Sequence, residues 1–222
     1  MSDAAGHGTH AHGEGTGGQA PAEFWEALYT ERGQRWSGRV NASTADVVRG
    51  IAPGRSLDLG CGEGGDVLWC AGEGWDATGV DISPTAVRRG EEAARAAGLG
   101  GRARFVVADL ATWQPDGLFD LVTASFLQSP VELERGEVLR RFASVLAPGG
   151  RLVVVAHAAA PPWMSPEHAG HAEFPTPASE VAEIGLVDGW TVEVAEVRQR
   201  DAVGPDGATA VLDDSVVVLR RG

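Results

Sequence analysis

Between residues 55 and 156 short apolar runs return at regular intervals, and each is followed by a stretch whose apolar positions fall at helical spacing. Runs at about Ser56–Leu59, Asp76–Val80, Ala103–Val107, Phe119–Ala124 and Arg151–Ala156 read as strands. Their near-continuous apolar character suits strands covered on both faces, and the alternation with helical segments predicts a parallel sheet with helices on either side. Pro84 fits the first turn of a helix that runs to Ala97 and is ended by Gly98-Leu-Gly-Gly101. A helix over Glu132–Leu146 likewise stops at Ala147-Pro-Gly-Gly150. After a short helix near Ala178–Ile184 come two alternating runs, Trp190–Arg198 and Ala210–Leu219, and Gly204-Pro-Asp-Gly207 between them predicts an antiparallel hairpin.

Five parallel strands plus a hairpin give an α/β fold: a doubly wound, mostly parallel seven-stranded Rossmann-like sheet with a C-terminal antiparallel hairpin. Two segments fall outside this alternation. Before the first strand, Phe24, Trp25, Leu28 and Tyr29 fall at helical spacing, followed by Trp36-Ser-Gly-Arg-Val-Asn41 and an apolar helix around Ala45–Val48. They read as either core packing or a lid over a ligand. After Ala156 a long loop, His157 to about Thr176, leaves the carboxyl end of a strand, where open α/β sheets bind ligands.

Composition narrows the classes. The 222 residues, 43% of them hydrophobic, suit one domain with a sizeable core. Met1 to about Pro21 is rich in glycine, alanine and histidine and is expected to be disordered; His7, His10 and His12 there invite a metal reading, for which the sequence offers no partner cluster. Two cysteines, Cys61 and Cys70, give neither a disulfide framework nor a four-ligand zinc site, so a reducing cytoplasm is expected. A net charge of −13 disfavours nucleic acid and anionic lipid as partners. No apolar run is long enough to span a membrane, and the first residues lack the features of a secretory signal.

The candidate chemistry centres on Arg55-Ser-Leu-Asp-Leu-Gly-Cys-Gly-Glu-Gly-Gly-Asp66, a strand that breaks into glycines and opens a helix. Glycines let backbone approach a ligand, and a helix start offers free N–H groups. Gly60, Gly62 and Gly65 satisfy the dinucleotide pattern G-x-G-x-x-G, while Gly60, Gly62 and Gly64 satisfy the tighter G-x-G-x-G. Asp58 precedes the glycines, Asp81 ends the second strand and Asp109 the third. A carboxylate at the tip of strand two is placed to accept hydrogen bonds from ribose hydroxyls. Three acidic positions around one cleft suit a positively charged ligand better than a pyrophosphate.

These residues resemble the class I S-adenosylmethionine-dependent methyltransferases. Leu57-Asp-Leu-Gly-Cys-Gly-Glu-Gly matches that family's first motif, Val80-Asp-Ile-Ser its second, Val107-Ala-Asp-Leu the adenine corner, Phe119-Asp-Leu-Val-Thr-Ala-Ser125 the fourth strand and Leu146-Ala-Pro-Gly-Gly-Arg-Leu-Val153 the approach to the fifth. The resemblance implies S-adenosyl-L-methionine as cofactor and S-adenosyl-L-homocysteine as product. It implies that the Gly60 and Gly62 backbone packs on the methionine portion, Asp81 holds the ribose and Asp109 the adenine amine, with Ile82 and Leu110 over the ring faces. Asp58 contacts the cofactor or orients the glycine loop. Ser125 and Gln128 follow strand four at the cleft. The leading segment resembles the thiopurine- and tellurite-type small-molecule branch, which implies cofactor contacts for Tyr29, Trp36 and Asn41, while Arg39 reads either as a partner for the cofactor's carboxylate or as a surface arginine. Residues 22–222 then form one methyltransferase domain, with 22–50 as lid helices.

In-line methyl transfer from a sulfonium needs mainly positioning. If the acceptor is a hydroxyl or thiol, His157 is the leading general-base candidate, with His168 and His171 behind it. Ala124-Ser-Phe-Leu-Gln128 stands where the family's amino-directed DNA enzymes carry Asn-Pro-Pro-Tyr, and no cysteine sits there. The expected acceptor is therefore a small molecule methylated on O, N or S. Two rivals remain open at this point: a nicotinamide-dependent oxidoreductase, and a non-catalytic cofactor- or metal-binding protein using the histidines.

Overall fold

The computed structural model describes residues 20–31, 33–34, 37–164, 174–186, 188–204 and 207–222. Trp36, His168, His171, the leader histidines and the Pro205-Asp206 centre of the hairpin turn lie outside the described residues. Helices α1 (Pro21–Thr30) and α2 (Ala42–Val48) precede β1 (Arg55–Leu59), α3 (Gly65–Gly72), β2 (Asp76–Asp81), α4 (Pro84–Ala96), β3 (Ala103–Val107) and β4 (Phe119–Ser125). Then come α5 (Arg135–Ala143), β5 (Leu146–His157), α6 (Pro177–Ile184), β6 (Trp190–Val203) and β7 (Thr209–Arg221).

The seven strands form one sheet in the order β3-β2-β1-β4-β5-β7-β6. The first five are parallel, and β7 runs antiparallel to both β5 and β6. Strand alternation divides the core. Leu57, Leu59, Val122, Val154 and Val217 face Leu139 and Phe142 of α5 and Ile184 of α6. Leu121, Val153, Val155 and Val216 face Val48 of α2 and Val67 and Cys70 of α3. Because side chains alternate along a strand, Asp58, Asp81, Thr123, Ser125 and His157 all fall on this second face, at the carboxyl ends of their strands.

Three boundaries differ from the sequence reading. Strand β5 begins at Leu146: Phe119 pairs with Leu146 and Leu121 with Arg151, so Ala147-Pro-Gly-Gly150 is an irregularity inside the strand where turn chemistry suggested a helix stop. Helix α5 is correspondingly shorter than Glu132–Leu146. Between β3 and β4 the chain makes turns instead of a helix.

Local chemistry sets the helix starts that matter for the cleft. Asn41 accepts from Ser43 N at 2.8 Å and Thr44 N at 3.1 Å to cap α2; Ser83 Oγ accepts from Ala86 N at 3.1 Å to cap α4, with Pro84 at its first position. Helix α4 lies against the glycine turn through Phe105 of β3. A Cβ built on Gly90 or on Gly64 would lie 2.5 Å from the Phe105 ring, so the ring occupies the space two missing side chains leave. We expect Gly90→Ala to lower the unfolding free energy by about 1–3 kcal/mol by overpacking, outweighing the roughly 0.5–1 kcal/mol that alanine gains over glycine within a helix. Urea unfolding checks this, and Phe105→Leu should restore part of the loss in the double variant. A single variant as stable as wild type would show that the ring is free to yield.

Candidate functional site

The chain leaves β1 through a turn that only glycine adopts easily. Gly60, Gly62 and Gly64 have φ of 67°, 53° and 84°, in the left-handed region where a Cβ is strained. Space is also short: a Cβ on Gly60 would lie 2.7 Å from Leu127, and one on Gly65 2.8 Å from the Arg39 carbonyl oxygen. The turn therefore presents bare backbone to a cavity of about 1480 Å³.

Every described residue singled out by sequence for cofactor or catalysis lines this one cavity: Tyr29 and Asn41 from the leader, Asp58, Gly60 and Gly62 at β1, Asp81 and Ile82 at β2, Asp109 and Leu110 at β3, Ser125 at β4 and His157 at β5. Tyr29 and Leu110 are buried, Ile82 is half-buried and Asp109 is exposed. Arg39 and Gln128 line the cavity too.

Several of these polar groups already have partners. Asp81 accepts from Gly62 N at 2.8 Å through Oδ2 and from Ser83 N at 2.9 Å through Oδ1, so it anchors the glycine turn as well as facing the cleft. Thr123 Oγ1 donates to Asp58 Oδ1 at 2.7 Å. The Asn41 side chain is occupied in capping α2. Ser125 Oγ donates to Asp66 Oδ2 at 2.6 Å, with the Thr44 hydroxyl 2.8 Å away. Asp109 Oδ1 accepts from Ala111 N at 2.8 Å.

Asp66 was not singled out by sequence, although an acidic residue in the first turn of the helix after the glycines is a readable signal. Its Oδ1 accepts from Asn41 N at 2.8 Å, which ties the leader to α3. Glu26 of α1 was missed as well, and nothing local to it could have revealed its role. It accepts from Ser83 Oγ at 2.6 Å, Thr85 Oγ1 at 2.7 Å and Thr85 N at 3.1 Å, latching α1 to the start of α4 beside Asp81. Burial acts to raise the Glu26 pKa, but these hydrogen bonds, with Arg88 nearby, hold it below the ordinary value.

Asp58, Asp66 and Asp81 are 7%, 8% and 7% exposed, and no arginine among the described residues lies within ion-pair distance of them. All three carboxyls are pushed above their usual range, chiefly by burial, and Asp58 further by the charges of Asp66 and Asp81. Thr123, Ser125 and the backbone donors oppose the shift without cancelling it. Burial and these same carboxylates also push the Cys61 thiol up, so it is no nucleophile. Among the described residues no group of three or more His, Cys, Asp or Glu side chains is placed to hold a metal ion. No described helix is long and apolar enough to cross a membrane.

A family model described as a methyltransferase domain matches residues 57–150. A demethylmenaquinone methyltransferase from Thermus thermophilus is 39% identical over 127 residues, covering 54% of this chain and 53% of that one. A 2-heptyl-1-hydroxyquinolin-4(1H)-one methyltransferase from Mycobacteroides abscessus is 33% identical over 152 residues, covering 66% and 63%. The chain spans 29%, 53% and 63% of the lengths of three curated relatives that it matches. A solved structure concerned with conversion of a disulfide bond into a thioacetal group during echinomycin biosynthesis superposes with a TM-score of 0.65 at 26% identity, covering 90% of this chain and 91% of that one. With this sheet order and glycine turn, residues 57–150 match a methyltransferase domain and the chain is similar to class I S-adenosylmethionine-dependent methyltransferases.

Proposed function

We propose that this protein transfers the methyl group of S-adenosylmethionine to a small-molecule acceptor. The observation that carries the reading is the set of three buried carboxylates, Asp58, Asp66 and Asp81, facing one cavity without a cationic partner among the described residues. Such a cleft favours a ligand that brings positive charge, and it repels a pyrophosphate, which argues against the dinucleotide reading of the glycine turn. The cofactor carries a sulfonium and an ammonium, and when bound it supplies an electrophilic methyl group with a neutral thioether as leaving group.

The residues present fit that ligand. The turn at Gly60 and Gly62 has no Cβ to exclude its amino-acid end, Asp81 retains lone pairs for ribose hydroxyls beyond its two backbone donors, and Ile82, Asp109 and Leu110 surround the adenine position. Arg39 is the proposed partner of the cofactor's carboxylate and Tyr29 of its sulfonium. Residues 22–50 act as a lid, a reading supported by the Glu26 latch to α4 and the Asn41–Asp66 bond to α3. We assign His157 as the acceptor-side base. The free thiols Cys61 and Cys70 suit a reducing cytoplasm, and the net charge of −13 argues against nucleic acid as acceptor.

Asp81→Ala removes both the turn's anchor and the ribose acceptor. We expect it to weaken S-adenosylhomocysteine binding by roughly 10–100-fold, the worth of about 1.5–3 kcal/mol for charge-assisted hydrogen bonds. Isothermal titration decides it, and an unchanged affinity would mean the ribose is held elsewhere.

The raised carboxyls give a second expectation, whose sign follows from linkage. A folded-state pKa above the unfolded value makes ionisation in the fold unfavourable, so the penalty is present at neutral pH and fades as pH falls toward the unfolded value near 3.8. Asp58→Asn should therefore stabilise the ligand-free protein at pH 7.5 by about 1 kcal/mol, roughly 2–4 °C in Tm, with the advantage shrinking on acidification. It should also weaken S-adenosylmethionine binding more than binding of uncharged-sulfur S-adenosylhomocysteine. Equal losses for the two ligands would show that Asp58 does not serve the sulfonium charge.

A further inference from the structure

At the far end of the cavity from the adenine tips, two buried polar atoms face each other without a hydrogen-bond partner: His157 Nδ1 and Asp214 Oδ1, 3.7 Å apart. Asp214 has no exposed surface, and its other oxygen accepts from Arg200 Nε at 2.6 Å. Three strands meet here. His157 ends β5 directly opposite Asp214 of β7, and Arg200 reaches the same carboxylate from β6. The imidazole is fixed on its flat side by the Phe126 ring, with centroids 4.3 Å apart and planes 28° apart, and the Arg200 guanidinium lies over that same ring at 5.3 Å. Phe126 has a φ of 56°, the one positive value outside glycine among the described residues, so the loop after β4 is held in a strained conformation to put this ring there. The Gln128 side chain accepts from His157 N at 3.2 Å and stitches that loop to β5.

We propose that Asp214, held by Arg200, is a positioning residue that keeps the His157 proton on Nδ1 and leaves Nε2 bare toward the cavity, so that the acceptor is a molecule bearing a transferable O–H or S–H proton. This rests on the methyl-transfer reading above and names the substrate class of that same site. A buried carboxylate with one oxygen satisfied needs a second donor, and Nδ1–H is the donor in reach once the gap of a few tenths of an ångström closes. The side chain of His157 is 25% exposed while Nδ1 is buried, so the exposed edge of the ring is the one carrying Nε2.

The step balances. The lone pair of the acceptor oxygen or sulfur forms the new bond to the methyl carbon, the pair of the breaking carbon–sulfur bond stays on the cofactor's sulfur, and the acceptor's proton passes to His157 Nε2. The positive charge that leaves the sulfonium thus reappears on an imidazolium facing Asp214, where an anion stabilises it. A neutral amine acceptor would have no comparable need of a bare Nε2 backed by a buried carboxylate.

Asp214→Asn separates this from mere packing. Arg200 can only donate, so it takes the amide oxygen, and the amide NH₂ turns toward Nδ1; Nδ1 then becomes an acceptor and the proton moves to Nε2. The readout is the long-range nitrogen–proton NMR correlation of the imidazole in the full chain, assigned by its loss in His157→Gln. We expect an Nδ1–H tautomer in wild type and an Nε2–H tautomer in Asp214→Asn, with S-adenosylhomocysteine affinity the same in both. An Nε2–H tautomer in wild type, or no change in the variant, overturns the proposal, and the wild-type spectrum alone decides if the variant fails to fold. With S-adenosylmethionine present, both variants should lose at least about 100-fold in kcat on phenol and far less on the more acidic 4-nitrophenol, with KM little changed. Equal losses on the two, or turnover of simple amines but of no phenol or thiol, overturns the acceptor class. Failure of wild type to bind S-adenosylhomocysteine would instead strike the donor reading and leave the tautomer result to stand by itself.

Discussion

Like charges held out of water are the constraint on which the rest of this molecule depends. Asp58, Asp66 and Asp81 converge where the sheet order reverses, β1 having β2 on one side and β4 on the other. Period-two alternation brings Asp58 and Asp81 to one face, and the first turn of α3 adds Asp66. No packing of apolar side chains could tolerate three carboxylates there unless each had donors, and the local architecture supplies them. Thr123 bonds Asp58, the Gly62 and Ser83 N–H groups bond Asp81, and Ser125 with the Asn41 N–H bonds Asp66. Hydrogen bonds of this kind offset desolvation without removing the mutual repulsion.

The same bonds explain why the leader and the turn are built as they are. Asp81 holds Gly62 in its left-handed conformation by taking its N–H, so one carboxylate both anchors the glycine turn and faces the cavity. Asp66 reaches out to the backbone of Asn41, whose side chain starts α2, while Glu26 draws α1 onto Ser83 and Thr85. The leader is therefore fastened at two points that each adjoin a cleft carboxylate. Direct hydrogen bonds thus join the cleft carboxylate Asp66 and the Ser83 that neighbours Asp81 to the leader.

What the sequence made legible was the part whose geometry is local. Asp58, Gly60, Gly62, Asp81 and Asp109 stand next to the strand ends that place them, so runs, glycines and acidic tips sufficed. The β5 start was misread for an equally local reason: Ala147-Pro-Gly-Gly150 carries turn chemistry but sits within a strand, where register slips between Phe119 and Leu121. Glu26, Asp214 and Arg200 were invisible because their partners are set by tertiary packing and strand register. A consecutive Asp213-Asp214 pair just ahead of the apolar run Val216–Leu219 was the one hint available, since an inward-facing acid in such a strand requires a partner.

That asymmetry follows from how the two ends of the cavity are made. The end near the glycine turn is assembled from parallel strand tips in the central sheet, each followed at once by its own turn. The other end is assembled from β6 and β7, whose pairing continues beyond the last β5 partner: Gln199–Val203 opposes Thr209–Asp213 as a two-stranded ribbon, and Asp201, Ala202 and Val203 of that ribbon line the cavity. A ribbon paired on one side only has fewer buried contacts to hold it than a central strand, and its register decides which side chains reach the cleft. The Asp214–His157 pairing lies at the last rung where the ribbon is still anchored to β5. Substitutions further along the ribbon can therefore reshape that end of the cavity while leaving the carboxylate behind His157, and the carboxylates beside the glycine turn, in place.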